Sequence, residues 1–413
     1  MRDKLQWRFG LLGLLGFFSG LPLALTAGTL SAWLKDSHVD RTSIGLFAAI
    51  ATPYALKFLW SPVLDGARLP IFTQRFGRRR GWLLVSQLLL VAAIMLMGFT
   101  DPCVNPWLTA LAGVTVATLS ATQDTVIDAY RVELLPKEEQ GTGAAWATFG
   151  YYAGMLVSGA GALALADLYG WQLTYLAMAS IMACGVLLTL TMREPAIERT
   201  VQQGTRDLSL FLRDYVVAPF KDFMTRPLWL PVLLFVLLYK FADAFMAPMN
   251  NPFLLDIGFT KLQIAEISKL YGLIALILGT FAGGWITRRL GMFRALLMGG
   301  VLHMLTNLML VVLAQHGAQV HLLMASVSLQ NFTAGMSTAA FIAYLSALTR
   351  TNYTATQYAL LSSLAAVGRT VLSTPSGKLA DLVGWTHFFL IASLLALPGL
   401  SLLLWIERAK RRA

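Results

Sequence analysis

Five ionisable side chains stand inside long apolar stretches of this 413-residue sequence. A charged residue at the centre of a bilayer costs about 2.5 to 3.5 kcal/mol on insertion scales, so five exposed to lipid would cost roughly 12 to 17 kcal/mol. That cost rivals the whole stability of a domain. We therefore predict that these side chains face a polar cavity or one another, as in sites that bind solutes or carry protons. They are Lys57, Asp124, Lys240, Asp243 and Arg369.

A carboxylate pair is the strongest candidate for proton chemistry. Asp124 and Asp128 are four residues apart, which places both on one face of a helix. Two carboxylates held close together with little solvent favour sharing a proton, and coupling to proton movement needs a group that binds and releases one. Asp128 also lies one turn from Arg131, so an ion pair at the membrane boundary is the alternative for this residue.

The other intramembrane charges are candidates for solute binding. Lys240 and Asp243 are one turn apart and form either a structural pair or part of a binding site. Arg369 has no acidic neighbour in the sequence, so it either pairs across helices or receives an anionic group. Nearby polar side chains complete the predicted binding set, which also contains Lys57, Tyr54, Gln123, Asn250, Gln330 and Asn331.

The composition indicates a polytopic membrane protein. Hydrophobic residues make up 57% of the chain and charged residues 13%, whereas soluble domains average roughly 45–50% apolar and about 25% charged residues. This excludes an ordinary soluble enzyme. The two cysteines, Cys103 and Cys184, exclude a disulfide framework. Since the sequence has no P-loop and no nucleophile paired with a base, we expect no catalytic residue, metal or cofactor.

Twelve apolar segments are long enough to cross a bilayer as helices, which takes about 20 residues each. The first could instead be a secretory signal, but its apolar run continues to Trp33 and exceeds the roughly 7 to 15 residues of such signals. The segments lie near 9–33, 42–63, 82–100, 107–129, 143–166, 172–192, 228–250, 265–287, 295–314, 321–347, 357–380 and 386–406.

Basic residues are distributed unevenly between the loops. With the N-terminus in the cytoplasm, 24 of the 32 Lys and Arg residues fall on the cytoplasmic side, and only Lys35, Arg41 and Lys261 fall in outer loops. Because basic loops stay in the cytoplasm, both termini are predicted to be cytoplasmic. The same distribution explains the net charge of +11 without a nucleic acid partner.

The sequence contains an internal repeat. Leu165-Ala-Asp-Leu-Tyr-Gly-Trp171 recurs as Leu379-Ala-Asp-Leu-Val-Gly-Trp385, with six of seven residues identical at an offset of 214. Arg75-Phe-Gly77 and Arg289-Leu-Gly291 share that offset. Separate matches at one offset indicate a duplicated structural unit.

The repeat predicts an all-α protein with two pseudo-symmetric halves of six helices. We place the halves at 1–192 and 228–413, joined by a cytoplasmic connector at 193–227 that is either an interfacial amphipathic helix or a disordered tether. Parallel repeats of this kind, with a solute site near the midplane, are the layout of major facilitator transporters.

The loop after the second helix is a candidate gate. It contains Asp65 and a basic run from which Arg75, Arg78 and Arg79 are candidate partners of that carboxylate. The second copy has Thr287 where an acid is expected, so the sequence predicts a latch on one side only.

Five segments resemble the AmpG-type muropeptide permeases of the major facilitator superfamily, and the resemblance runs from the first predicted helix to the last. They are Ser19-Gly-Leu-Pro-Leu-Ala-Leu-Thr26, Lys57-Phe-Leu-Trp-Ser-Pro62, Ser120-Ala-Thr-Gln-Asp-Thr-Val-Ile-Asp-Ala-Tyr-Arg-Val-Glu-Leu-Leu-Pro136, Tyr239-Lys-Phe-Ala-Asp-Ala-Phe245 and Ala365-Ala-Val-Gly-Arg369.

The resemblance implies import of GlcNAc-1,6-anhydro-MurNAc peptides from the periplasm across the bacterial inner membrane. It implies proton symport through Asp124 and Asp128, a role in peptidoglycan recycling and, in some bacteria, in β-lactamase induction. Expected partners are the anhydromuropeptide, protons and the lipid bilayer, and we expect a monomer. The alternatives are another solute, such as acetyl-CoA, a peptide or a siderophore, and a membrane sensor that transports nothing.

Overall fold

The computed structural model describes residues 2–37, 39, 47–196, 208–373 and 375–412, and within these ranges the chain forms helices and no strand. The first six helices are numbered in chain order. Helix α1 is Arg2–Thr26 with Gly28–Asp36, α2 is Ala48–Ala51, Thr52–Leu56, Lys57–Leu59 and Ser61–Gly66, α3 is Arg78–Gly98, α4 is Pro106–Leu134, and α5 (140–169) and α6 (171–191) are separated at Gly170.

The second six helices follow the described part of the connector, which is helical over Leu208–Phe211, Leu212–Val217 and Ala218–Met224. Helix α7 is Trp229–Leu238 with Phe241–Asp256, α8 is Lys261–Ile267, Ser268–Gly272 and Leu273–Leu290, α9 is Met292–His316, and α10 is Val320–Leu348. Helix α11 is Thr354–Leu372 with the part of Ser376–Leu394 that precedes Gly384, and α12 is the part that follows Gly384 with Leu397–Arg412.

Length and hydropathy alone identify seven membrane-spanning stretches among the described residues, and an eighth if a pair of helices bent by 101° is one span. One stretch, 137–191, holds both α5 and α6, and the bent pair holds α10 and the start of α11. Helix α2 falls short because it consists of short turns, and α4 because it is rich in polar residues. The prediction of an all-α, twelve-helix fold is confirmed.

The backbone repeats the offset of 214 residues seen in the sequence. Gly77 and Gly291 have φ angles of 87° and 83°, and Gly170 and Gly384 have 78° and 72°. Glycine enters this left-handed region without steric cost. Each pair marks the same boundary in the two copies, before α3 and α9 and before α6 and α12.

The first helix of each copy is broken at the equivalent place. Helix α1 breaks at Ala27, and α7 breaks at Tyr239 and Lys240, just before Phe241. Ala27 and Phe241 are also 214 residues apart. Broken membrane helices expose backbone polar groups, which are tolerated only where protein or a water-filled cavity surrounds them.

The chain divides into two compact units. The first comprises 1–136, 146–219 and 349–360, and the second comprises 137–145, 220–348 and 361–413. The first unit therefore includes the start of α11, and the second includes the start of α5. Each unit has its own aromatic core. The rings of Trp33 and Tyr175 lie 5.0 Å apart in the first, and those of Phe253 and Phe389 lie 4.7 Å apart in the second.

Glycine ridges allow the closest helix packing within each unit. A Cβ atom on Gly150 of α5 would lie 1.8 Å from the carbonyl oxygen of Gly13 in α1. In the second unit, a Cβ atom on Gly279 of α8 would lie 1.8 Å from the carbonyl oxygen of Phe332 in α10. Small residues that let backbones approach are the main device of helix association in lipid.

Candidate functional site

Asp124 is held in the first unit by a hydroxyl group from α1. Ser19 donates to Asp124 Oδ1 at 2.6 Å. The adjacent Gln123 donates Nε2 to the carbonyl oxygen of Phe18 at 2.8 Å, while its Oε1 is buried without a hydrogen-bond partner. Tyr54 of α2 lies close to the same carboxylate. The hydrogen bond fixes the position of the Asp124 carboxylate, and the residue is half-buried.

Asp128 lies one turn further along α4, between two cations. Lys57 Nζ is 3.9 Å from Asp128 Oδ2, and Arg131 Nη2 is 3.4 Å from Oδ1. Arg131 also donates to the hydroxyl of Tyr358 at 3.1 Å. The two predicted carboxylates therefore differ in surroundings, since Asp128 has two basic neighbours and Asp124 has a hydroxyl donor. An anion at Asp128 is the better compensated of the two.

The second unit contains a buried network around Asp243. Lys240 Nζ lies 3.2 Å from Asp243 Oδ2 and donates to Ser337 Oγ at 2.6 Å. His303 Nε2 lies 2.5 Å from Asp243 Oδ1, and its Nδ1 lies 2.8 Å from Thr333 Oγ1. The predicted Lys240–Asp243 pair is thus formed, and it is extended by a histidine from α9.

A small cavity adjoins this network within the second unit. Its volume is about 170 Å³. Its polar lining comes from α7, α9 and α10 and consists of Asp243, Asn250, His303, Asn307, Gln330 and Asn331. Four of the predicted binding residues (Asp243, Asn250, Gln330 and Asn331) therefore meet around one space.

Asp65 forms the centre of a second charged cluster in the first unit. Its side chain is fully buried. Arg79 Nη2 donates to Asp65 Oδ1 at 2.8 Å, and Thr356 donates to Oδ2 through its backbone N–H and its hydroxyl, each at 2.8 Å. Arg78 and Arg79 also bind the carboxylate of Glu133. The cluster ties the end of α2 and the start of α3 to the start of α11.

The N-terminus of α3, which carries these arginines, is capped by Glu194. Its carboxylate accepts hydrogen bonds from the backbone N–H groups of Arg79 at 2.8 Å and Arg80 at 3.0 Å. Burial raises the pKa of Glu194, and the two backbone hydrogen bonds oppose that rise. A carboxylate at a helix N-terminus is stabilising, and here it fixes the direction in which Arg79 leaves the helix.

The equivalent loop of the second unit makes a different contact. Thr287 donates its hydroxyl to the carbonyl oxygen of Gly283 at 2.7 Å and packs on Gly141. Its neighbour Arg288 lies 3.1 Å from Glu139. The sequence predicted a latch on one side only, because position 287 is not an acid, and this stays a prediction. The acid that Arg288 contacts is contributed by the loop before α5 rather than by position 287.

Two predicted residues are not brought into these clusters by the described structure. Arg75 is exposed and lies over the ring of Phe76 rather than beside Asp65. The side chain of Arg369 lies outside the described residues. Four further residues of these clusters have partners too distant along the chain for sequence spacing to indicate them: His303, Ser19, Ser337 and Glu133.

Comparison with known proteins agrees with the fold. The sequence matches the Major Facilitator Superfamily over residues 12–371 and 256–413. Two solved structures share the fold at low identity. The fucose:proton symporter FucP of Escherichia coli has a TM-score of 0.73 at 15% identity, covering 96% of this chain and 98% of that one. The proton:xylose symporter XylE has a TM-score of 0.71 at 13% identity, covering 97% and 95%.

Sequence relatives define the family more narrowly. The anhydromuropeptide permease of Escherichia coli strain K12 is 42% identical over 97% of this chain and 79% of its own length. The putative transporter AmpG 4 of Rickettsia felis is 37% identical over 96% of this chain and 95% of its own length. The chain therefore belongs to the Major Facilitator Superfamily and, within it, to the family of the AmpG permeases. It is a multi-pass membrane transporter and not an enzyme.

Proposed function

We propose that this protein imports anhydromuropeptides from the periplasm into the cytoplasm, coupled to protons, for peptidoglycan recycling. The observation that carries the substrate assignment is the 42% identity, along nearly the whole chain, to the anhydromuropeptide permease of E. coli. Import is the direction in which an inward proton gradient drives a symporter, and the basic loops favour cytoplasmic termini for this protein. A role in β-lactamase induction belongs to the same proposal.

Proton coupling is assigned to Asp124, with Asp128 as its partner. Asp124 is an intramembrane carboxylate that is half-buried and held by one hydroxyl. Such residues mark proton relays in transporters. Asp128 keeps Lys57 and Arg131 within 4 Å. Because Asp124 and Asp128 are one helical turn apart, the charge on one carboxylate influences the other.

Alternating access by the halves 1–192 and 228–413, joined by 193–227, completes the proposal. Parallel six-helix repeats in this superfamily rock about a central site. Asp65, with Arg78 and Arg79, holds the start of α11 on the cytoplasmic side through the hydrogen bonds to Thr356. Opening toward the cytoplasm then requires these bonds to break. We propose that a monomer in the lipid bilayer carries out the cycle.

Competition between solutes tests the substrate assignment. Purified protein in liposomes is given radiolabelled GlcNAc-anhydro-MurNAc peptide, with unlabelled acetyl-CoA, free stem peptide or a siderophore as competitors. We expect uptake that only unlabelled anhydromuropeptide reduces. Absence of anhydromuropeptide uptake, together with uptake of one of the other solutes when that solute carries the label, would assign the protein to that solute. Binding without any uptake or counterflow would make it a sensor.

A further inference from the structure

The cavity in the second unit contains polar groups that the protein does not satisfy. Asn250 Oδ1, Asn307 Nδ2 and Gln330 Nε2 are buried and have no hydrogen-bond partner among the described residues. The Asn307 side chain is only 3% exposed. A buried donor or acceptor without a partner costs about 1 to 3 kcal/mol, so three around one space indicate a place for a ligand with matching groups.

The charged groups beside the cavity are already neutralised. Asp243 is bound by both Lys240 and His303, at 3.2 Å and 2.5 Å, and Lys240 also donates to Ser337. Neither Lys240 nor Asp243 offers an uncompensated charge to a ligand. The cavity is therefore suited to a neutral polar group rather than to a carboxylate.

The unsatisfied atoms match the hydrogen-bonding groups of an amide. Asn250 offers an acceptor, while Asn307 and Gln330 offer donors. An amide has one N–H donor and a carbonyl oxygen that accepts two hydrogen bonds. A ligand amide can pair with an Asn or Gln side chain in either orientation of that side chain, because each side-chain amide carries both a donor and an acceptor.

The size of the cavity limits what it can hold. With a volume of about 170 Å³, the cavity is suited to a small polar group. An acetamido group has four non-hydrogen atoms and fits this space, and the rest of a larger sugar would lie outside it.

We propose that this cavity binds the acetamido group of an N-acetylated amino sugar, with its N–H directed to Asn250 Oδ1 and its carbonyl oxygen to Asn307 and Gln330. The inference rests on the proposed function, since anhydromuropeptides carry N-acetylated sugars, and it names the part of the solute that the second half recognises. It assigns no role to the peptide stem.

The test uses the full-length purified protein and two probes, N-acetylglucosamine and glucose, which differ in the acetamido group. Binding is titrated by the rise in thermal unfolding temperature. We expect N-acetylglucosamine to stabilise the wild-type protein and glucose to have little effect. Asn307→Leu and Gln330→Leu should each weaken binding about 5- to 100-fold, since they leave the ligand carbonyl without a donor.

The matched control is Gln87→Leu, which removes another buried amide whose Nε2 has no partner, in the first unit. It should leave binding unchanged. Without ligand, Asn307→Leu should be as stable as the wild type or more so, because an apolar group replaces an unsatisfied one.

Equal binding of the two sugars, or unchanged affinity in both cavity variants, would overturn the inference and leave anhydromuropeptide transport standing. A stem peptide whose binding depends on Asn307 would also overturn it. Conversely, a wild-type protein that transports no anhydromuropeptide but loses N-acetylglucosamine binding in Asn307→Leu would retain the cavity assignment and refute the proposed substrate.

Discussion

At the scale of single residues, the two intramembrane acids of the first unit differ in how they are held. Asp128 has Lys57 and Arg131 within 4 Å, whereas Asp124 accepts a hydrogen bond from Ser19. The residue with the weaker compensation is the better candidate to gain and lose a proton during a cycle.

Asp128→Asn should therefore impair transport less than Asp124→Asn. The amide removes a carboxylate that pairs with two cations, so Lys57 and Arg131 lose a partner, but the proton-carrying group remains. We expect slower uptake with accumulation still dependent on a proton gradient. Uptake rates and final accumulation in liposomes measure the two effects separately. A variant that equilibrates solute without accumulating it would show instead that the pair titrates as one unit.

Substitutions can distinguish whether the Lys240–Asp243 ion pair stabilises the fold or takes part in transport. Lys240→Met should lower the free energy of unfolding by roughly 1 to 3 kcal/mol, because Asp243 loses one of its two partners while its side chain keeps 28% exposure. The double variant Lys240→Met/Asp243→Asn should recover most of that loss. Thermal unfolding in detergent gives the stabilities, and uptake is measured in parallel. If the double variant recovers both stability and transport, the pair is structural.

Sequence spacing could predict contacts along one helix but not between helices. The Asp124–Asp128 face and the Lys240–Asp243 pair follow from the helical repeat. The contact of His303 with Asp243 joins residues 60 positions apart, and that of Arg131 with Tyr358 joins residues 227 apart, so no periodicity indicates either. The contact of Arg288 with Glu139 joins residues 149 positions apart, so periodicity does not indicate it either.

At the scale of elements, glycine determines how closely α1 and α5 pack. The apolar runs of the sequence predicted where helices lie. Gly150 and Gly154 are one turn apart on α5, and both lie against the backbone of α1, as is typical of small residues at helix contacts in membranes. The apolar pattern did not predict the breaks in α1 and α7, because the residues on both sides of each break are apolar.

Gly150→Ala should destabilise the protein by at least about 1 to 3 kcal/mol, the usual cost of overpacking. Its Cβ atom would lie 1.8 Å from the carbonyl oxygen of Gly13, so the helices must separate. Gly10→Ala in α1 is the matched control, since no atom lies within 4 Å of its added Cβ and alanine is the better helix former by about 1 kcal/mol. In detergent, the unfolding temperature should fall for Gly150→Ala and should stay the same or rise for Gly10→Ala. Equal behaviour of the two variants would refute the packing account.

At the scale of the whole molecule, we propose that the buried cluster around Asp65 is the contact that cytoplasmic opening must break. Asp65→Asn removes the charge that holds Arg79 and Thr356. The equilibrium can shift only by the attraction that is lost, and removing one partner of a buried pair typically costs about 3 to 5 kcal/mol. We expect a shift of at least tenfold toward the state open to the cytoplasm.

Cysteine labelling measures this shift. The native Cys103 and Cys184 are first replaced by serine, and Ala359, which is fully buried in α11, is replaced by cysteine. Labelling of that cysteine should be faster with Asp65→Asn and unchanged with Arg75→Gln, whose side chain lies apart from the cluster. Equal labelling rates with and without Asp65 would show that the cluster does not hold this side closed.

Gradient-driven uptake is the most direct measurement of the central claim, that this permease couples anhydromuropeptide import to a proton held at Asp124. Wild-type protein and Asp124→Asn are reconstituted in liposomes with an imposed inward proton gradient and radiolabelled GlcNAc-anhydro-MurNAc peptide. The wild type should accumulate the solute above its external concentration, whereas Asp124→Asn should bind it and exchange it without accumulation. Concentrative uptake by Asp124→Asn equal to that of the wild type would contradict the account.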